Sequence, residues 1–153
     1  VHGSLDWFQS PLEDTVAISN IKSIPDNYQS QIVTPGTQKY HKTHLEPFRS
    51  IINNADQAIN EAGSYLCIGY GFNDEHIQTK LVNKCVYNNS TLLILTRTLT
   101  EATKKFINEQ GCKNYLAFEK SGDKDTKVYS SLEGEFIIPD SDYWTLDGFL
   151  KLI

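Results

Sequence analysis

Residues 64–87 read SYLCIGYGFNDEHIQTKLVNKCVY, and this stretch decides the fold. Its uncharged start, Tyr65 to Ile68, predicts a short strand that is buried on both faces in a parallel sheet. A helix is predicted to follow, because Asn73 suits an N-cap and because Asp74 and Glu75 favour a helix N-terminus. Apolar residues then recur at the spacing of one helical face. The stretch therefore predicts a strand, a turn and a helix.

The turn between this strand and helix, residues 69–74, contains two glycines and is the first candidate for a binding site. Open α/β sheets usually bind ligands where the carboxyl end of a strand turns into a helix. Asp74 stands where the third glycine of a dinucleotide fingerprint would be, and with Glu75 it would repel a pyrophosphate. We expect the backbone of this turn and the side chains of Asn73 and Asp74 to contact the sugar or the base edge of a ligand rather than a phosphate. The alternative is that the glycines only allow the chain to turn and pack closely.

The same alternation of strand and helix extends along the chain and predicts βαβ crossovers. The sequence therefore predicts one α/β domain over residues 1–153, a Rossmann-like three-layer sandwich with a mostly parallel sheet. Strands are predicted at residues 31–34, 90–95 and 114–119. Residues 127–130 and 135–138 suggest either a short strand pair about Glu133 and Gly134 or isolated extended pieces. Helices are predicted at about residues 45–61, 99–110 and 142–152, the last carrying Trp144, Phe149 and Leu150 towards the core. Residues 1–8 suggest a strand end, a turn and a second extended piece, and residues 11–27 and 120–126 suggest loops.

Composition excludes several classes of protein. The 153 residues are 39% apolar and 22% charged, with a net charge of −5. No run approaches the roughly 18 apolar residues of a membrane span, and no concentrated basic surface signals nucleic-acid binding. The three cysteines form neither a disulfide framework nor a zinc pair, and His41 and His44 lack a third metal ligand. We expect a cytoplasmic protein without a metal site.

The start of the chain also carries information. The sequence contains no methionine and begins with Val1. Because translation starts at methionine, we expect the chain to be a fragment or a processed product that another segment precedes.

His2 is the strongest candidate for a catalytic group. A histidine at a strand end beside a glycine can take a proton from a hydroxyl near neutral pH. The alternative is a structural or exposed histidine, because the base role requires a bound substrate. Cys67 and Cys85 are predicted to be small core residues, since no histidine is paired with either thiol.

Three segments, Val1–Trp7, Ile32–Tyr40 and Leu66–Ile77, resemble the sirtuin-like domains of bacteria, many of which belong to antiphage-defence proteins. The resemblance implies a Rossmann-like domain that uses NAD as its substrate. It implies that His2 is the catalytic base on the nicotinamide ribose. The residues implied to lie against the adenosine half of NAD are Gly69, Tyr70, Gly71, Phe72, Asn73 and Asp74. In defence proteins such domains typically hydrolyse NAD to nicotinamide and ADP-ribose.

The chain also departs from that family. The glycine loop that holds the phosphates, the Asn-Asp segment beside the nicotinamide and the four zinc cysteines have no counterpart in this sequence. We therefore expect the carboxy-terminal part of a sirtuin-like domain, inactive alone, whose partners are NAD or ADP-ribose, the missing amino-terminal segment and a possible second copy of the chain. The alternatives are a catalytically inactive sirtuin-like module that binds a nucleotide or a partner protein, and an α/β domain of another nucleotide-related family.

Overall fold

The computed structural model describes residues 2–33, 44–109 and 111–153, with His76 described by its backbone alone. Most of the resembling segment Ile32–Tyr40, together with His41, lies outside the described residues. The chain divides into two compact units, residues 1–58 and 59–153. The single domain over 1–153 stays a prediction, and each unit is described by itself.

The first unit contains a small antiparallel sheet. Its strands are β1 (Gly3–Gln9), β2 (Thr15–Ala17) and β3 (Gln29–Ile32), in the order β2-β1-β3. Helix α1 (Phe48–Glu61) begins in this unit. The side chains of Phe8, Val33 and Phe48 are buried.

Two sequence predictions for the first unit were wrong. Residues 3–9 form one strand rather than two extended pieces about a turn, because a local shift in register between Gly3 and Phe8 keeps β1 paired with β3. The predicted loop at 11–27 contains strand β2, whose Val16 pairs with Phe8.

The second unit is an α/β structure built on a five-stranded mixed sheet. Its strands lie in the order in which they occur in the sequence, with parallel pairing from β4 to β6 and antiparallel pairing from β6 to β8. The elements are β4 (Ser64–Ile68), α2 (Glu75–Tyr87), β5 (Thr91–Thr96), α3 (Glu101–Glu109), β6 (Tyr115–Ser121), β7 (Asp125–Ser130), β8 (Gly134–Ile138) and α4 (Leu146–Phe149).

The prediction of a mostly parallel sheet holds only for β4, β5 and β6. Helices α2 and α3 provide the long connections that parallel strands require, whereas β6, β7 and β8 are joined by short turns. The first of these turns, at residues 122–124, replaces the longer polar loop predicted at 120–126, and the second confirms the strand pair predicted about Gly134.

The main core of the second unit lies between one face of the sheet and helices α2 and α3. Leu81 and Cys85 of α2 and Phe106 and Ile107 of α3 are buried there. The predicted apolar face of α2 is confirmed. The sheet contributes Cys67, Leu92, Ile94, Ala117 and Tyr129 to the same cluster.

The opposite face of the sheet carries a smaller core at Leu95, Phe118 and Val128, against which Tyr143, Trp144 and Phe149 pack. The predicted closing helix is much shorter than expected. Its N-cap is Thr145, whose hydroxyl accepts a hydrogen bond from the Gly148 N–H, so the helix begins at Leu146 rather than near Asp142. The prediction that Leu150 faces the core was wrong, since 53% of it is exposed.

Among the described residues, β4 lies at the edge of the sheet. The prediction that both faces of this strand are buried was wrong. Cys67 points into the main core, but Leu66 and Ile68, which point to the opposite face, are each 51% exposed. The apolar residues around α4 pack on Leu95, Phe118 and Val128, and thus on β5, β6 and β7 rather than on β4.

Among the described residues, no helix combines the length and the apolar character that a membrane span requires.

We expect Phe106→Ala to lower the free energy of unfolding by about 3–5 kcal/mol, because a fully buried aromatic ring is replaced by a cavity. The ring of Phe106 is 0% exposed and lies 5.2 Å from the ring of Phe72. Denaturant unfolding followed by circular dichroism measures the loss. Leu132→Ala is the control, because Leu132 is 87% exposed and its truncation should cost less than about 0.5 kcal/mol. Equal losses in the two variants would contradict this packing.

Candidate functional site

The turn at residues 69–74 connects the carboxyl end of β4 to helix α2. Gly69 has a φ of +61°, a left-handed conformation that favours glycine. Its N–H donates a hydrogen bond to the Leu95 carbonyl at 2.9 Å, so the pairing of β4 with β5 continues into the turn. The chain leaves the strand at a defined point beside β5.

Phe72 fixes the middle of the turn from the inside. Its φ of +55° is unusual for a residue with a large side chain. Its ring is fully buried and lies 4.8 Å from the ring of Tyr70 and 5.2 Å from that of Phe106. Because the Phe72 side chain belongs to the core, this residue can meet a ligand only through its backbone.

Thr100 fixes the turn from the side of helix α3. Its hydroxyl donates a hydrogen bond to the Gly71 carbonyl at 2.6 Å and accepts one from the Thr103 N–H at 3.1 Å. The second bond is a helix N-cap. The bond to Gly71 was not predicted, because it joins residues that are far apart in the sequence.

The far end of the turn carries the polar side chains. Helix α2 begins at Glu75, so Asp74 rather than Asn73 directly precedes it. Asn73 is exposed and Asp74 is half-buried. The Tyr70 hydroxyl donates a weak hydrogen bond to the Asp74 carbonyl at 3.4 Å. Burial, and then the Asp74 charge, raise the pKa of Tyr70 to about 12, so the phenol stays protonated at neutral pH.

An apolar groove of about 390 Å³ follows the outer edge of β4 and reaches Tyr70. Leu66 and Ile68 line it from the strand, and Ile77 and Leu81 line it from α2. Within the described part of the second unit, no strand pairs with this edge of β4. The turn therefore lies at the end of an open groove.

His2 lies in the first unit, half-buried and immediately before β1. Its carbonyl accepts a hydrogen bond from the Val33 N–H at 2.8 Å. Gly3 has a φ of +87°, and a Cβ at this position would lie 2.1 Å from the Gln31 carbonyl oxygen. The close approach of β3 thus requires a glycine directly after His2. The candidate base and the glycine turn belong to different units.

Sequence reasoning did not identify Glu119 as a positioning residue. Its carboxylate accepts hydrogen bonds from the Leu99 N–H and from the Tyr129 hydroxyl, both at 2.7 Å. These bonds fix the backbone immediately before Thr100. Burial, and then the bond to Glu119, raise the pKa of Tyr129. A charged residue at the end of a predicted strand was the one signal in the sequence, and its partners were not visible there.

Metal binding has no geometric support among the described residues, where no group of three or more His, Cys, Asp or Glu side chains could hold an ion. His44 is exposed. The three cysteines are buried free thiols.

Comparison with known proteins does not assign the chain to a family. No protein-family model, no curated protein and no solved structure matches it significantly.

We expect Thr100→Val to lower the free energy of unfolding by about 1–3 kcal/mol, because it removes the helix cap and leaves the Gly71 carbonyl without its hydroxyl donor. Thr100→Ser should retain most of the stability, since serine supplies the same hydroxyl. Thr98→Val is the matched control, because the Thr98 side chain is exposed. Chemical denaturation of the three variants measures the difference. A loss for Thr98→Val as large as that for Thr100→Val would contradict the role of Thr100.

Proposed function

We propose that this chain is the carboxy-terminal part of a sirtuin-like NAD-binding domain and that the full protein hydrolyses NAD to nicotinamide and ADP-ribose. The activity would belong to bacterial antiphage defence in the cytoplasm, and the chain alone would be inactive. The Rossmann-like three-layer fold, incomplete in this chain, is part of the proposal. The observation that carries it is the glycine turn at the carboxyl end of the parallel edge strand β4.

The order of the strands supports a ligand site beside this turn. Helices α2 and α3 pack on the same face of the sheet. Each crossover places the next strand on the same side of the preceding one, which gives the order β4-β5-β6. In open α/β sheets, ligands bind outside the carboxyl ends of the strands, where the direction of the strand order reverses. Within the second unit, a reversal next to β4 would require another strand at its open edge. The missing amino-terminal segment of the proposed parent would supply that strand.

The chemistry of the turn supports contact with the adenosine half of NAD. Asn73 and the carboxylate of Asp74 can hydrogen-bond to ribose hydroxyls, as acidic residues do in dinucleotide sites. Asp74 and Glu75 would repel the pyrophosphate at the start of α2. Arg97 directly follows the carboxyl end of β5 and is exposed. Its guanidinium could provide a positive charge for the phosphates.

The proposed reaction assigns one proton transfer to His2. Water adds to the anomeric carbon of the nicotinamide ribose as the bond to nicotinamide breaks, and the products are nicotinamide, ADP-ribose and one proton. The His2 imidazole would accept a proton from a ribose hydroxyl, and that hydroxyl would regain a proton from the attacking water, so His2 would carry the one proton that the reaction releases. An imidazole suits this role near neutral pH. Gly3 would keep His2 at the start of β1 by allowing β3 to approach.

We expect His2→Ala in the full-length protein to lower the rate of NAD hydrolysis by about 10²–10⁴-fold, because the general base is lost. Nicotinamide release followed by liquid chromatography measures the rate. His44→Ala is the control, since His44 is an exposed histidine outside the proposed site. Circular dichroism should show that both variants remain folded. Unchanged turnover in a folded His2→Ala variant would refute the assignment of the base.

We expect Asp74→Ala to weaken binding of ADP-ribose to the full-length protein by roughly 10–100-fold, because a charged hydrogen bond to a ribose hydroxyl is lost. Titration calorimetry measures the affinity. Glu75→Ala is the matched control, since it removes the same charge one residue later from an exposed side chain. Equal weakening in both variants would indicate a general charge effect instead of a specific contact.

The measurements of ADP-ribose binding and of nicotinamide release also distinguish the proposed hydrolase from the alternative function. Binding of ADP-ribose without any release of nicotinamide would identify a catalytically inactive sirtuin-like module. Absence of both binding and turnover would refute the NAD proposal as a whole.

A further inference from the structure

Strand β8 forms an open edge of the sheet in the second unit, at the end opposite to β4. Among the residues that the structure describes, no strand pairs with its outer side. The strand is regular, because it pairs with β7 residue for residue from Gly134 to Ile138 without a bulge. Phe136 and Ile137, in the middle of β8, are 41% and 56% exposed. The edge is therefore regular, apolar and exposed.

In the described structure, β8 has none of the features by which edge strands avoid pairing with another chain. Those features are a proline or a bulge within the strand, an unpaired charge and a covering segment. The one charged residue of β8 is Glu135, and its carboxylate lies 2.7 Å from the Lys127 ammonium of β7. Pro139 directly follows the strand and does not interrupt it. The edge is thus open to a partner strand.

The hydrogen bonding of the β6–β8 meander determines which backbone groups of β8 point outwards. The Ser131 N–H donates a hydrogen bond to the Tyr115 carbonyl at 3.1 Å. Hydrogen-bonded pairs alternate along antiparallel strands, so every second residue of β7 bonds to β6. The residues between them bond to β8, and they include the partner of Phe136. The N–H and C=O groups of Glu135 and Ile137 therefore point away from β7, towards the open side.

Apolar side chains are exposed on both faces of this edge. Phe136 lies opposite Val128 and therefore shares the face of the smaller core. Ile137 lies opposite Lys127 and therefore points to the other face of the sheet. A strand that pairs with β8 covers both apolar side chains at once.

We propose that β8 pairs in antiparallel orientation with β8 of a second copy of the chain, so that two five-stranded sheets become one. The two-fold axis passes beside Ile137, which faces its own counterpart. In this register Phe136 lies opposite Ile138 of the second copy. The two Ile137 residues exchange both of their backbone hydrogen bonds, because their N–H and C=O groups point outwards. The same surface serves both copies, as two-fold symmetry requires.

The distribution of charge favours this partner and this register. A second copy brings no unpaired charge to the edge, since Glu135 is paired with Lys127 within each copy. In the proposed register Glu135 lies opposite Pro139, and the two Glu135 residues are about 13 Å apart along the strands. Pairing centred on Glu135 would place two carboxylates side by side. Pairing centred on Phe136 would place each carboxylate opposite an isoleucine, Ile137.

The proposed interface lies away from the candidate functional site. Strands β4 and β8 are the two edges of the sheet, so a dimer through β8 leaves β4 and its glycine turn outside the interface. The pairing does not depend on the proposed NAD activity, and either can fail without the other.

Sedimentation velocity of the chain over a range of concentrations tests the dimer, and we expect a monomer–dimer equilibrium. Ile137→Glu should raise the dissociation constant by about 10-fold or more, because two like charges would face each other across the two-fold axis. Within each copy the new carboxylate lies opposite Lys127, which favours folding. Leu66→Glu is the matched control, since Leu66 is a comparably exposed apolar residue on the other edge strand. It should leave the equilibrium unchanged.

Two sedimentation results would overturn the proposal. One is a chain that sediments as a monomer at every concentration. The other is a dimer that Leu66→Glu weakens as much as Ile137→Glu does.

Single cysteine substitutions test the register and do not depend on the folding of Ile137→Glu. Facing residues of an antiparallel pair have Cβ atoms about 4.5–5.5 Å apart. A short bifunctional maleimide should therefore link Ile137→Cys into a covalent dimer. It should not link Glu135→Cys, whose two thiols would lie roughly 13 Å apart. The unsubstituted chain, with three buried thiols, should stay monomeric on a denaturing gel. Cross-linking of Glu135→Cys, or none of Ile137→Cys, would refute the proposed pairing.

Discussion

The burial of the Phe72 ring determines the shape of the turn after β4. A left-handed backbone costs a residue with a side chain roughly 1–2 kcal/mol. Burial of a phenylalanine ring stabilises the fold by about 1.5–3 kcal/mol, and each aromatic pair adds about 0.5–1.5 kcal/mol. Because Phe72 contacts both Tyr70 and Phe106, these gains outweigh the backbone cost. The turn is therefore held by the core beneath it.

The other restraints on the turn come from two neighbouring elements. The Leu95 carbonyl at the end of β5 holds Gly69, and the Thr100 hydroxyl at the start of α3 holds Gly71. Glu119 of β6 in turn holds the backbone before Thr100. Two adjacent strands, β5 and β6, and the start of helix α3 thus contribute to one short loop. A loop restrained in this way loses little conformational freedom when a ligand binds, which favours affinity.

Much of the second unit was predictable from local sequence patterns. Helices α2 and α3 follow from the spacing of their apolar residues, and β5 and β6 follow from uncharged or apolar runs, because these signals lie within each element. The edge position of β4 was not predictable, since an apolar strand has the same sequence pattern whether or not another layer covers it. The exposure of Leu66 and Ile68 depends on where the residues around α4 pack.

The candidate site was predictable only in part. The location of the turn followed from its two glycines and from the adjoining strand and helix. The contacts that hold it could not be predicted, because Thr100 and Glu119 meet their partners across tertiary structure. The position of His2 beside Gly3 was visible in the sequence, but the approach of Gln31 that makes this glycine necessary was not.

The mixed sheet also implies an order of folding events. The antiparallel pairs of the second unit are local, since Ser121 pairs with Asp125 and Ser130 pairs with Gly134. The parallel pairs require a crossover to close first, as when Ser64 meets Thr91. Local contacts cost less loop-closure entropy and form sooner. We therefore expect the β6–β8 meander to fold early and to provide the surface on which β5 and then β4 assemble, so that the strand bearing the glycine turn is the last to join the sheet.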